Sequence, residues 1–371
     1  MFKGPLHLLQ AIEERKRKGL FRALKNNLPS IDFSSNDYLG FSKYGLLEKK
    51  IKELNFHSIH SGSTGSRLIS GNTKFTEELE QQIAQFHNAE AALIFNSGYD
   101  ANLGLLSCIA TKNDLILFDE LIHASVYDGI RLSYAKQYKF KHNDITHLKE
   151  LIARNLDSVD SIFIAVESVY SMDGDSAPLK ELANLADNKK IFLILDEAHA
   201  IGVFGKKGKG LCNKFQLEEK CFARVYTYGK AMGCHGAAVV GSNDLKNYLI
   251  NFARSFIYTT ALPMLSLFCI KAAYHLLEET KQIVLLDEKI NFFNKLTAND
   301  TSFIKSESAI HCKIYSDINK VNEIEQLSEK NHFFVKAIKS PTIKEGTERI
   351  RICLHAFNTT EQIEKLLNLI K

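Results

Sequence analysis

Between residues 90 and 245 the chain alternates two textures. Short, mostly apolar runs at 91–95, 114–118, 161–166, 191–195, 223–227 and 237–241 predict strands buried on both faces. Between several of them, segments 99–111, 123–133, 146–155 and 179–188 carry apolar residues at helical spacing. Strand–helix alternation of this kind predicts an α/β domain built on a mostly parallel sheet with helices on both faces. Ligands of such sheets gather at the carboxyl ends of the strands. Beyond the sheet, 263–296 reads as one long helical stretch. A strand at 309–315, a helix at 321–330, strands around 334–338 and 349–354 and a last helix from 360 predict a smaller α+β domain. The first residues read as an amphipathic helix. The expected division is an N-terminal arm over 1–40, a large domain over 41–275 and a small domain over 276–371.

Composition narrows the class. Of the 371 residues, 45% are hydrophobic and 24% charged, enough to build a real core in two domains. The net charge of +4 is spread along the chain with no basic stripe interleaved with aromatics, which argues against a nucleic-acid partner. None of the seven cysteines forms a C-x-x-C pair, and their odd number argues against a disulfide framework. No stretch approaches the ~18 consecutive apolar residues of a membrane span. The N-terminus lacks the pattern of a secretion signal. A reduced, cytoplasmic setting with no membrane partner is expected.

Four sites at predicted strand ends carry candidate chemistry. Strand 191–195 runs into Asp196-Glu-Ala-His199, and an ionised carboxylate at the end of an apolar strand is costly unless it meets a cation. It fits either a DEAH element of a nucleotide-binding switch protein or a partner for a protonated pyridine nitrogen; the plainest alternative is a helix cap. The nucleotide reading needs a G-x-x-x-x-G-K-[ST] loop upstream, and none exists; Gly205-Lys-Lys-Gly-Lys-Gly210 lies downstream and lacks the spacing. Thr227-Tyr-Gly-Lys230 follows strand 223–227 and encloses its lysine in small or apolar neighbours, an environment that favours a neutral, nucleophilic amine. Ser97-Gly98-Tyr99 leads strand 91–95 into a helix, the setting of a phosphate cup. His123 follows strand 114–118. Each feature alone is common, but together they place a cup, a histidine, a carboxylate and a lysine at successive strand ends of one sheet.

These residues resemble the α-oxoamine synthases, fold-type-I pyridoxal-phosphate enzymes. Asn36-Asp-Tyr-Leu-Gly40, Gly65-Ser-Arg-Leu-Ile-Ser-Gly71, His123-Ala-Ser, Ser171-Met-Asp-Gly-Asp-Ser-Ala-Pro-Leu179 and Ser340-Pro-Thr342-Ile-Lys-Glu-Gly-Thr-Glu-Arg-Ile-Arg351 extend the resemblance over nearly the whole chain. It implies a large, mostly parallel seven-stranded sheet domain and a smaller α+β C-terminal domain. It implies pyridoxal 5'-phosphate joined to Lys230, with Asp196 on the ring nitrogen and His123 stacked on the ring. Ser171 and His199 would lie near the ring hydroxyl, and Gly98, Tyr99 and Thr227 would hold the phosphate. Asn36 and Arg351 match positions that bind the amino-acid carboxylate, and Arg22 and Thr342 positions tied to the acyl substrate. Family members are homodimers, so Thr259 or Thr260 would reach the partner's phosphate; no metal is implied. The runs at 171–179 and 340–351 are most similar to the members that condense L-alanine with a pimeloyl thioester of CoA or of an acyl carrier protein. Sister members use glycine and a short acyl-CoA. The chain departs from the family pattern at Thr76, where histidine is usual, and at Ala200-Ile201.

Overall fold

The computed structural model describes residues 4–24, 30–56 and 62–371. In chain order its strands are β1 (Ile31–Asp32), β2 (Ala91–Phe95), β3 (Leu115–Asp119), β4 (Lys136–Phe140), β5 (Ile162–Glu167), β6 (Ile191–Asp196), β7 (Cys221–Thr227), β8 (Ala237–Gly241), β9 (Ile310–Ile314), β10 (Phe333–Phe334), β11 (Lys336–Ile338) and β12 (Arg349–Cys353). Seven of them form one sheet in the order β2-β8-β7-β6-β5-β3-β4. Neighbours run parallel from β7 through to β4, and β8 alone is reversed, pairing antiparallel with both β7 and β2.

The six apolar runs read from the sequence are six of the seven strands of this sheet, and every residue of β2, β3 and β5 is buried. The seventh strand escaped that reading. Lys-Gln-Tyr-Lys-Phe at β4 exposes four of its five residues: it is the edge of the sheet left open to solvent, whereas the other edge, β2, is buried, and polar side chains there guard against stray pairing. The stretch expected to be one helix over 263–296 is two, Met264–Glu279 and Gln282–Thr297. Thr280 turns extended between them, and its Oγ1 accepts the N–H of Gln282, the first residue of the second helix, at 3.1 Å.

A second, antiparallel sheet, β11-β12-β9, is backed by the helices Ile318–Lys330 and Thr360–Leu369, which turn Val321, Ile324, Ile363 and Leu366 inward. The strand expected around 334–338 is split. Phe333–Phe334 pairs in parallel with β1, and Lys336–Ile338 joins β12. The N-terminal segment is therefore stitched to the C-terminal one: Cys353 N–H donates to Phe33 O and Ala356 N–H to Tyr38 O, each at 2.8 Å. That stitching sets Asn36 and Tyr38 over the carboxyl ends of the large sheet's strands. The helix expected at the N-terminus spans Leu6–Arg17 and buries none of its residues. Among the described residues no helix is long and apolar enough to cross a membrane.

Candidate active site

The strand ends β2, β3, β5, β6 and β7 converge on one site. β2 turns through Ser97 into the helix Gly98–Cys108, with Ser97 Oγ capping Asp100 N–H. The first N–H groups of such a helix have no partner within it and favour an anion. Gly98 lies hard against the end of β7: a Cβ there would stand 2.3 Å from Thr227 Oγ1. The glycine thus lets a hydroxyl and free backbone N–H groups share one cup. Tyr99 contributes its backbone at the same turn, while its exposed ring reaches out to Asp128, 2.6 Å from the phenol oxygen.

One turn along that helix, Asn102 links the rest of the centre. Its Nδ2 donates to Asp196 Oδ2 at 2.7 Å and to Ser125 Oγ at 3.0 Å, and Ser125 Oγ lies 2.8 Å from His123 Nδ1. Asp196 Oδ1 accepts the N–H of Ala198 at 2.9 Å. The carboxylate is thereby aimed and held, with 6% of the residue exposed. Lys230, half-buried beyond β7, has its pKa lowered to about 8: burial disfavours the ammonium more than Asp196 and Glu167 favour it. An amine with that proton affinity is nucleophilic near neutral pH.

On the small-domain side, Arg351 on β12 is buried, and each nitrogen of its guanidinium is engaged. Nε donates to Ser171 O at 2.7 Å, Nη1 to Cys353 Sγ at 3.0 Å and Nη2 to Asn36 Oδ1 at 3.1 Å. Asn36 Oδ1 also accepts from Tyr38 Oη at 3.1 Å, and that oxygen lies 2.7 Å from His199 Nδ1. One continuous line of polar contacts therefore runs from Ser171 through Arg351, Asn36 and Tyr38 to His199. Burial holds the His199 pKa well below its ordinary value, so the ring is a neutral hydrogen-bonding group.

Arg22 and Thr342, far apart in sequence, meet at the exposed rim, with Nη2 3.2 Å from Oγ1. Thr259 accepts from Asn96 Nδ2 of the same chain at 2.8 Å, and the carbonyl of Thr260 takes the same amide at 2.9 Å, beside the cup. Glu197 points away from the site. Its two oxygens accept the N–H groups of Leu211 and Cys212 at 2.8 and 2.7 Å, and the loop Gly205–Gly210 closes over it. A Cβ at Gly210 would stand 2.2 Å from Glu197 Oε2. The donors that hold this structural carboxylate come from the two residues just after the lysine-glycine stretch, and both oxygens of the DEAH element's glutamate accept from them. Thr76 is buried under the cap of its own helix, its Oγ1 2.8 Å from that of Thr73, and Ala200 and Ile201 are core residues.

Asn102, Ser125, Tyr38 and Glu167 went unassigned in the sequence reading, although each stands inside or beside a quoted motif. Asn102 had a signal: it lies one helical turn after Gly98 and so on the same face of the helix.

The sequence profile described as aminotransferase class I and II matches residues 29–370. The chain belongs to that family. It is 42% identical to an 8-amino-7-oxononanoate synthase of Emericella nidulans over an alignment covering 98% of this chain and 94% of the relative. Among solved structures, an 8-amino-7-oxononanoate synthase from Francisella tularensis superposes with a TM-score of 0.77 at 33% identity, covering 92% of this chain and 96% of that one. A serine palmitoyltransferase solved with PLP gives a TM-score of 0.88 at 26% identity, covering 98% and 96%. The family's members share the fold-type-I arrangement described above. Of the two solved structures, the Francisella enzyme is nearer in sequence and the serine palmitoyltransferase nearer in backbone shape, so the fold is shared by enzymes with different names.

Proposed function

We propose that this chain joins L-alanine to a pimeloyl thioester with loss of carbon dioxide, giving 8-amino-7-oxononanoate, with pyridoxal phosphate held on Lys230. The observation that carries the proposal is the line Asp196–Asn102–Ser125–His123 running beside Lys230 and the Gly98–Thr227 cup. The residues fit that cofactor. A glycine whose Cβ would collide with Thr227 leaves room for a phosphate, and a buried carboxylate with a free lone pair suits a protonated ring nitrogen. When bound, pyridoxal phosphate supplies an electron sink that makes the α-hydrogen of an amino acid acidic.

The chain's own residues do the rest. Lys230, with its lowered proton affinity, takes the α-hydrogen and later returns it. Asn102 and the N–H of Ala198 hold the carboxylate of Asp196 in place for the ring nitrogen. His123 is held at the rim of the site by Ser125 and offers its ring face to the cofactor and its free nitrogen to the substrate. Ser171 and His199 supply hydroxyl and imidazole on the other flank, near the ring hydroxyl. Arg351 and Asn36 bind the substrate carboxylate, and Arg22 with Thr342 receives the far end of the acyl chain. The acyl donor is carried by CoA or by an acyl carrier protein, and the enzyme works in the cytoplasm as a homodimer. An exposed apolar patch of Leu68, Ile69 and Tyr258 supports the dimer: it lies on segments joined by the bond from Ala261 N–H to Gly65 O, next to Thr259 and Thr260. In a dimer those threonines would also face the partner's cup.

The test is a product assay by mass spectrometry, offering alanine, glycine or serine against pimeloyl-CoA and acetyl-CoA. Alanine with pimeloyl-CoA should give the 8-amino-7-oxo acid. Turnover confined to glycine with acetyl-CoA would reassign the chain to a sister activity.

A further inference from the structure

After β5 the chain makes a short loop over 171–175, and the small domain grips four of its residues in a row. Arg351 Nε donates to Ser171 O at 2.7 Å, and Cys312 Sγ to Met172 O at 3.1 Å. Arg349 Nη1 pairs with Asp173 Oδ1. Ser306 Oγ and Ser308 Oγ both donate to Gly174 O, at 2.7 and 2.8 Å. Gly174 holds a φ of +81°, and a Cβ there would run into Ile310 O of β9. At the far end of the loop the large domain takes over: Asp175 Oδ2 meets His142 Nε2 and Asn143 Nδ2, each at 2.8 Å.

We propose that Asp173 and Arg349 are positioning residues: their ion pair sets the aim of Arg351, two residues along the same strand, toward the substrate carboxylate. The inference rests on the reading of Arg351 as the carboxylate-binding residue. Side chains two apart on a strand share a face, so Arg349 and Arg351 of β12 reach the loop side by side. The guanidinium of Arg351 is held by Ser171 O, Cys353 Sγ and Asn36 Oδ1. Each terminal nitrogen carries a second N–H, and those two make the fork that a carboxylate accepts. Where the fork points depends on how β12 lies against the loop. Three of the four gripped residues offer only carbonyl oxygens, which any side chain would leave in place. Asp173 offers a carboxylate, buried against a buried cation. Such a pair repays its desolvation poorly beside apolar residues of the same volume, so stability gives little reason for it. Direction does. Arg349 Nε donates to Thr347 O at 3.0 Å, which turns its other end to Asp173, and the directed bond pins β12 at one height over the loop.

The experiment titrates the full-length holoprotein, without acyl donor, with L-alanine and with L-alaninamide, which lacks the carboxylate. The ratio of the two dissociation constants cancels any general loss of cofactor or amine binding. Two charge-assisted hydrogen bonds should give the parent a preference for alanine of about a hundredfold or more. R349M, which costs the fork one well-aimed bond, should cut that preference about tenfold. D173L/R349M removes both partners, strands no charge and should lose the same factor; it decides alone if R349M does not fold. The parent's preference retained in the deciding variant overturns the proposal, and so does equal weakening of both ligands, the mark of a merely structural role. R351A tests the underlying reading separately. A preference that survives there sinks the reading of Arg351 and this inference with it, whereas a preference lost in R351A but kept in R349M sinks this inference alone.

Discussion

Asp196→Asn exchanges one oxygen for an NH2 group with almost no change in volume, and the geometry sets what should follow. An asparagine there can leave its oxygen on the N–H of Ala198, keeping the 2.9 Å bond. Its NH2 then faces the NH2 of Asn102, donor against donor, where a 2.7 Å contact to a carboxylate stood. A hydrogen bond to a charged group is worth about 1.5–3 kcal/mol, and Asn102 keeps its second acceptor, Ser125 Oγ. Folding stability should therefore drop by about 1–2 kcal/mol, with the fold retained. Catalysis should suffer more. The lost charge is the one proposed to face the cofactor's ring nitrogen in a site sheltered from water, and its removal should raise the barrier by about 4 kcal/mol, ~10³-fold in rate. Asp196 is also the strongest of the anions that favour the Lys230 ammonium, so its loss takes the lysine's pKa further below about 8. The assay is exchange of the alanine α-hydrogen in deuterium oxide without acyl donor, together with cofactor affinity by fluorescence. Exchange should fall ~10³-fold while affinity changes by no more than about tenfold. Exchange at the parent's rate with cofactor bound would refute the role given to Asp196.

Lys230→Ala should still bind the cofactor through the Gly98–Thr227 cup, but borohydride should fix none of it and turnover should fall by ~10³-fold or more; a reduced label on another lysine would displace Lys230 from its role. Arg22→Ala removes the rim contact to Thr342 and should raise KM for the pimeloyl donor by ~10-fold while leaving that for alanine unchanged; equal effects on both substrates would return Arg22 to the solvated surface. Arg351→Lys leaves Asn36 Oδ1 and Ser171 O short of donors and should raise KM for alanine well above that for the acyl donor, measured with each substrate varied in turn. His142 gives a pH signature of stability. Burial alone would lower its pKa, but Asp119 at 2.9 Å and Asp175 at 2.8 Å outweigh it and raise it to about 10. The stabilisation is then fully present below the unfolded value near 6.5 and lost as pH rises through about 10. His142→Asn should lower Tm at pH 7 and flatten the fall in Tm between about pH 8 and 10; a parallel fall in both proteins would deny the ion pairs that role.

Why some of the site could be read from the chain and some could not has a physical basis. An inner strand of a parallel sheet must be apolar along its length, so the first polar residue after it stands out. Asp196 after Ile-Phe-Leu-Ile-Leu, and Lys230 just beyond β7, are conspicuous for that reason. β4 at the edge carries no such constraint, and its Lys-Gln-Tyr-Lys-Phe looks like loop. Glu167 satisfies the same rule as Asp196 and could have been singled out by it. Asn102 and Ser125 are harder. Polar residues in the first turns of helices are ordinary, and only the crossing of two helix starts over β6 turns them into a wire between Asp196 and His123.

The second half of the site depends on contacts between residues more than 300 apart in sequence, and such pairings follow from topology. Asn36 reaches Arg351 because β1 adds to β10 and because Phe33 and Tyr38 offer their carbonyls to Cys353 at the end of β12 and to Ala356 beyond it. Those backbone bonds are sequence-independent, so no local pattern announces them. What they achieve is specific: they bring the hydroxyl of Tyr38 between His199 on the large sheet and Asn36 beside Arg351. A hydroxyl can donate to one neighbour while accepting from the other, whereas a phenyl ring there would leave His199 Nδ1 buried without a partner. The two halves of the site therefore share one hydrogen-bonded seam. Any motion of the small domain that carries Arg351 must also move or break the contact that holds His199, and the proposed carboxylate and cofactor subsites are coupled both through the hydroxyl of Tyr38 and through the bond from Arg351 Nε to Ser171 O.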